Sequence, residues 1–133
     1  MPTFAKDLFV RGAVDIRRMK RPPTHPGVIL AEDFLGPLGI SPSDFARRVG
    51  ISFQGLNDII HAREAVSVDT AFRLTRVLGV SAQFWMNLQL MWDLWHAAHG
   101  EGAKAIARLR PLPKGERHIS RNYSRSSSRA SRR

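Results

Sequence analysis

The sequence predicts an all-α fold: one helical domain with basic tails on both sides. Three observations carry this. Between residues 26 and 99 apolar residues recur at three- and four-residue intervals, and no segment alternates as a half-buried strand does. Start and stop signals punctuate that pattern, with Ser before several apolar runs and Gly after them. The charge is partitioned rather than spread. Residues 1–24 carry six basic and two acidic groups, net +4; residues 25–100 carry five and seven, net −2; residues 101–133 carry ten and two, net +8. The overall charge of +10 is therefore a property of the flanks.

The elements follow in order. Helix one is expected over 26–36, with Pro26 in its first turn and Ile29, Phe34 and Leu38 on its buried side. Helix two is expected over 42–49. Ser41 is its cap, Pro42 takes the first position, and Asp44 completes an S-x-x-D capping box. Helix three is expected over 53–61 with Ser52 as cap, helix four over 69–78 ending at Gly79, and helix five from after Ser81 to 99, ending at Gly100. These make a domain over 23–100. Residues 1–22 form an N-terminal arm, expected to be flexible, and Met19 is an alternative start for the chain. Residues 101–133 form an Arg/Ser-rich tail, expected to be disordered from about 111 because it lacks the apolar surface to offset its ordering entropy.

Residues 42–61 have the signature of a helix-turn-helix. Ala46 is small where two helices cross, and Gly50 sits where the turn needs a positive φ. Phe45, Val49, Leu56 and Ile59 are spaced to fill the crossing. Helix three contains no Lys or Arg, but phosphate contacts position a protein while base contacts specify the sequence. Gln54 and Asn57 suit adenine, Phe53 suits a thymine methyl, and Ser52 suits a phosphate at the helix N-terminus. Arg47, Arg48 and Arg63 are the nearby charges expected on the DNA backbone. Asp58 is the discordant residue, a carboxylate on a face expected to meet DNA.

Helix five, with FWMNLQLMWDLW at 84–95, is apolar around most of its girth. Phe84, Leu88, Met91 and Trp95 form one stripe. Trp85 and Trp92 form a second, and Met86, Leu90 and Leu94 a third. The expectation is that the first faces the core while Trp85, Met86, Leu90, Trp92 and Leu94 form a homodimer interface.

THPGVILAEDFLGPLGIS at 24–41, the helix-turn-helix at 42–61, VDTAFRLTRVLG at 68–79 and SAQFWMNLQ at 81–89 together resemble the HigA-type antitoxin branch of the lambda-repressor-like (Xre) helix-turn-helix family. This resemblance covers roughly residues 22–96. It implies a five-helix domain that dimerises, binds a palindromic operator in double-stranded DNA as an autorepressor, and neutralises a small ribonuclease toxin from the same operon. The sequence departs from the family pattern at Phe53 and Gly55, where basic residues are common, at His61-Ala62, where Asn-Gly is common, and at Pro42, where many relatives place a phosphate-binding Gln. Two other readings remain open: an Xre-type transcriptional regulator without a toxin, and an interaction protein whose Arg/Ser tail binds nucleic acid non-specifically.

Other classes are disfavoured. There is no Cys, hence no disulfide, thiolate metal site or cysteine nucleophile. No apolar run approaches the roughly 18 residues of a membrane helix, and no signal peptide is evident, so a cytoplasmic protein is expected. His96 and His99 are three apart but lack further ligands, and Glu32 and Asp33 point apart, so no metal, cofactor or catalytic residue is expected.

Overall fold

The computed structural model describes residues 16–113. Expectations that fall on residues 1–15 and 114–133, including most of the tail from Pro111, lie outside the described residues. Every regular element within them is helical. The chain divides into two units between Gly100 and Glu101.

Among the described residues the first unit holds five helices besides a 3-10 turn near its start. α1 starts at Pro26, preceded by His25, whose Nδ1 accepts the Gly27 amide at 2.9 Å. It is α-helical over Pro26–Ile29, widens to a π-helix over Leu30–Leu35, and returns to α-helix over Gly36–Leu38. Pro37 explains the widening. It has no N–H for the Asp33 carbonyl and its ring crowds that group, so the turn opens and the Gly36 amide bonds Ala31 instead. The expected buried side is corrected as a result. Leu38 is 57 % exposed, and Leu30 and Leu35 are buried in its place, with Ile29 and Phe34 partly buried against the core. A 3.6-residue period does not keep its phase across a wider turn.

α2 spans Pro42–Val49 and α3 spans Phe53–Ile60, capped by Ser41 and Ser52. The capping box at α2 is only half formed. Ser41 Oγ accepts the Asp44 amide at 3.1 Å, but the Asp44 carboxylate turns to Arg47 and Arg48. α4 spans Val68–Leu78 with Ser67 as cap, and α5 spans Ala82–His99 with Ser81 as cap.

Phe45, Leu56, Leu74 and Trp85, one from each of these four helices, meet Leu30 of α1 in the core. Burying each such side chain contributes about 1.5–3 kcal/mol. The position of Trp85 corrects its expected place at a dimer interface. Its side chain is 0 % exposed, packed against Phe34 at 5.3 Å and Phe84 at 5.1 Å between ring centroids, and no partner can reach it. It lies one residue from Phe84 on the α5 face that α1 and α4 already cover.

The end of the N-terminal arm is docked. Ile16–Arg18 form a 3-10 turn, and Trp95 Nε1 of α5 donates to the Met19 carbonyl at 2.8 Å. The arm, expected to be flexible over 1–22, is thus held at this point, and its first fifteen residues lie outside the described residues. The second unit contains α6, Gly102–Ala107, a helix not expected from the sequence, where Ala recurs in GAKAIA.

Candidate nucleic-acid interface

The candidate site is the outer surface of α2 and α3, and four features fix where that surface sits. The first is Gly27. A Cβ placed there would lie 1.7 Å from the Ile59 carbonyl oxygen and 2.4 Å from its carbon. α1 therefore rests directly on the backbone of α3, and only glycine permits it. His25, beside it, is 2 % exposed and sets its ring edge-on to Trp92 at 4.9 Å. Burial lowers the His25 pKa from its ordinary value and His96 adds to that, while Asp93 and a hydrogen bond at the Glu64 backbone act in the opposite sense.

The second contact is at the turn between α2 and α3, where Gly50 has φ +71°. Arg73 of α4 donates from Nη1 to the carbonyls of Val49 (3.1 Å) and Gly50 (3.2 Å), and from Nε to Asp69 (2.7 Å). A cation thus sits at the C-terminal end of α2, where the helix dipole favours it. The third is buried Gln89 of α5. Its Oε1 accepts the Val66 amide at 2.8 Å and its Nε2 donates to Asp93 at 2.9 Å, which pins the chain leaving α3. The fourth is Ala62, which takes φ +59° just after α3. A glycine would adopt that conformation without the cost to a Cβ.

On this frame α3 turns Leu56 and Ile59 inward and leaves Phe53 (52 % exposed) and Gln54 exposed, with Asn57 partly buried. Phe53 and Gln54 occupy the first turn, the part of a recognition helix that meets base edges. Ser52 Oγ accepts the Gly55 amide at 3.0 Å, so its hydroxyl proton remains available to an anion at the helix N-terminus. Arg47 and Arg48 flank this surface from α2, both exposed and paired to Asp44 at 2.9 and 3.0 Å. Arg63 follows α3 and pairs with Asp58 at 3.2 Å. Gln54 Nε2 donates to the same Asp58 oxygen at 3.0 Å. Residues 41–63 carry net +1. The expected DNA residues therefore cluster on α2, α3 and the segment just after, while Arg73 and Gln89, which hold them in place, went unassigned from sequence. The Asp69–Arg73 spacing of four was the available signal for one; the bond from Gln89 to Val66 spans 23 residues and leaves no local trace.

On α5, Leu90 (50 % exposed) and Leu94 face outward, while Met86 and Trp92 are partly buried. His96 and His99 donate from Nδ1 to the Trp92 and Trp95 carbonyls; the His99 ring stacks on Trp95, and the His96 ring lies tilted against Trp92.

Residues 32–85 match the Helix-turn-helix family. Over 98 residues the chain is 35 % identical to virulence-associated protein I of Dichelobacter nodosus, covering 74 % of this chain and 89 % of that one. Over 80 residues it is 31 % identical to antitoxin HigA-1 of Vibrio cholerae, covering 60 % and 75 %. The structure of Pseudomonas aeruginosa antitoxin HigA with the higBA promoter superposes with a TM-score of 0.65 at 41 % identity, over 68 % of this chain and 99 % of that one. The chain belongs to the HigA antitoxin family. The HPG motif of this HigA-type chain is thereby explained as cap (His25), first helical residue (Pro26) and helix-crossing glycine (Gly27). The Q of its FWMNLQ segment is the buried link to Val66. No helix among the described residues is long and apolar enough to cross a membrane.

Proposed function

We propose that this chain is the antitoxin and autorepressor of a toxin–antitoxin operon, acting in the cytoplasm without catalysis of its own. It binds a palindromic operator as a homodimer and neutralises a small ribonuclease toxin. The observation that carries the DNA reading is the surface of α3 with Phe53 and Gln54 exposed and Asn57 partly buried beside them, positioned by Gly27 and Arg73 and flanked by three arginines on a HigA scaffold. Gln54 and Asn57 read base edges; Ser52, Arg47, Arg48 and Arg63 hold phosphates. Leu90 and Leu94, with the exposed edges of Met86 and Trp92, form the dimer contact. Two recognition helices then meet successive major grooves about 34 Å apart. The domain over 23–100 performs both roles, and the tail adds non-specific affinity.

The test is binding to the DNA upstream of its own gene by fluorescence anisotropy across a salt series. Each phosphate contact contributes about 0.9 to the slope of log K against log salt. Arg47→Ala and Arg48→Ala together are expected to lower the slope by nearly 2 for a single half-site. An unchanged slope removes those arginines from the interface. Loss of all binding on deletion of 114–133 assigns the affinity to the tail instead.

A further inference from the structure

Asp58 is the one residue on α3 that conflicts with a DNA-facing surface, and its contacts resolve the conflict. One carboxylate oxygen, Oδ1, accepts both Gln54 Nε2 at 3.0 Å and Arg63 Nε at 3.2 Å. The three side chains form a chain from base reader to backbone cation. Ionised carboxylate is an acceptor only, so it can bond the NH₂ end of the Gln54 amide and never the oxygen end. The amide orientation of Gln54 is therefore set by chemistry. Oε1 is turned away from Asp58, and one N–H remains free beside it.

Resting on the reading of α3 as the DNA-contacting helix, we infer that Asp58 is a positioning residue that commits Gln54 to adenine. With one acceptor and one donor presented, Gln54 matches the N6–H donor and N7 acceptor of adenine in the major groove. A Gln free to turn its amide offers two donors as readily, and two donors match the O6 and N7 acceptors of guanine. Asp58 removes that second option. Arg63 offsets the carboxylate charge near the phosphates, and its guanidinium carries further N–H donors beyond the one that Asp58 takes. The link makes Arg63 docking and Gln54 orientation one event.

The experiment is site selection from a randomised duplex pool with the full chain, comparing wild type, Gln54→Ala, Asp58→Asn and Asp58→Ala. Circular dichroism melting of each variant confirms that it is folded; Asp58→Asn is close to isosteric and keeps the helix intact. Wild type is expected to select adenine over guanine by about tenfold or more at one position of each half-site, and Gln54→Ala to abolish that preference. Asn at 58 can donate to Gln54 Oε1 as well as accept from Nε2, so Asp58→Asn frees the amide to turn. The adenine preference is then expected to fall to within about threefold, with guanine gaining, while the other positions of the motif are unchanged. A merely structural role would weaken all positions together and would not favour guanine. Retention of the full adenine preference in both Asp58 variants overturns the inference. So does a wild-type motif that Gln54→Ala leaves untouched, although operator binding then stands. A wild type that selects no motif at all refutes the DNA reading itself, which is a different and distinguishable failure.

Discussion

Gly27→Ala tests how the recognition helix is held. The added Cβ would lie 1.7 Å from the Ile59 oxygen, about half of an ordinary contact, with Ile59 C at 2.4 Å and Ile60 N at 3.0 Å. All three are backbone atoms of α3 or its neighbourhood, so no side-chain rotation relieves the clash. α1 must lift from α3, and buried His25 and Leu30 move with it. Overpacking a core costs about 1–3 kcal/mol and more where the backbone must shift, while the helix-propensity gain of Ala over Gly is at most about 1 kcal/mol. With the cost at the upper end of that range, a net loss of about 2 kcal/mol or more is expected, which for a domain of this size lowers Tm by at least about 8 °C. Thermal unfolding followed by circular dichroism reads it directly. Gly36→Ala is the control, since its nearest contact is 3.4 Å and its expected change is a few degrees. A Gly27→Ala protein that melts within about 4 °C of wild type refutes the close crossing of α1 and α3.

Three further outcomes are expected. Ala62→Gly relieves the left-handed backbone after α3 and raises stability by about 0.5–1 kcal/mol, measured by urea unfolding. Arg73→Ala removes the cation from the Val49 and Gly50 carbonyls and costs about 1 kcal/mol, discounted for its half-exposed side chain; it also weakens DNA binding without touching the binding surface, which calorimetry and anisotropy separate. The third is a pH dependence. Because folding lowers the His25 pKa below 6.5, the unfolded chain takes up the proton first; stability is unaffected by this group well above pH 6.5 and declines as pH falls below it, by up to about 1.4 kcal/mol per pH unit. Asn is also a cap residue, so His25→Asn is expected to lessen the acid slope between pH 7 and 5 in unfolding titrations.

Local chemistry made the helices legible. Ser41, Ser52 and Ser81 cap as their positions imply, and Gly50 and Gly79 take the positive φ that ends α2 and α4. Two readings failed for a common reason, which is that periodicity reports phase and not partner. Leu38 lost its phase across the π-helix that Pro37 imposes. Trp85 lies on a stripe as apolar as its neighbours, and only the packing of α1 and α4 decides which stripe the chain buries in itself. The candidate DNA residues were legible because exposure on α3 follows from burying Leu56 and Ile59. Their supports were not, because Arg73 reaches Val49 across 24 residues and Gln89 reaches Val66 across 23. Asp58 was visible as a lone charge at odds with a DNA-facing helix; its bonds to Gln54 and Arg63 became visible only in the structure.

The most direct test of the antitoxin function is a growth assay with any small open reading frame found adjacent to this gene, expressed alone and together with this chain. The account predicts growth arrest from the neighbour alone and recovery on co-expression, with recovery retained by Gln54→Ala, since that change impairs operator reading only. A harmless neighbour, or arrest that this chain fails to relieve, contradicts the antitoxin function and leaves a transcriptional regulator without a toxin.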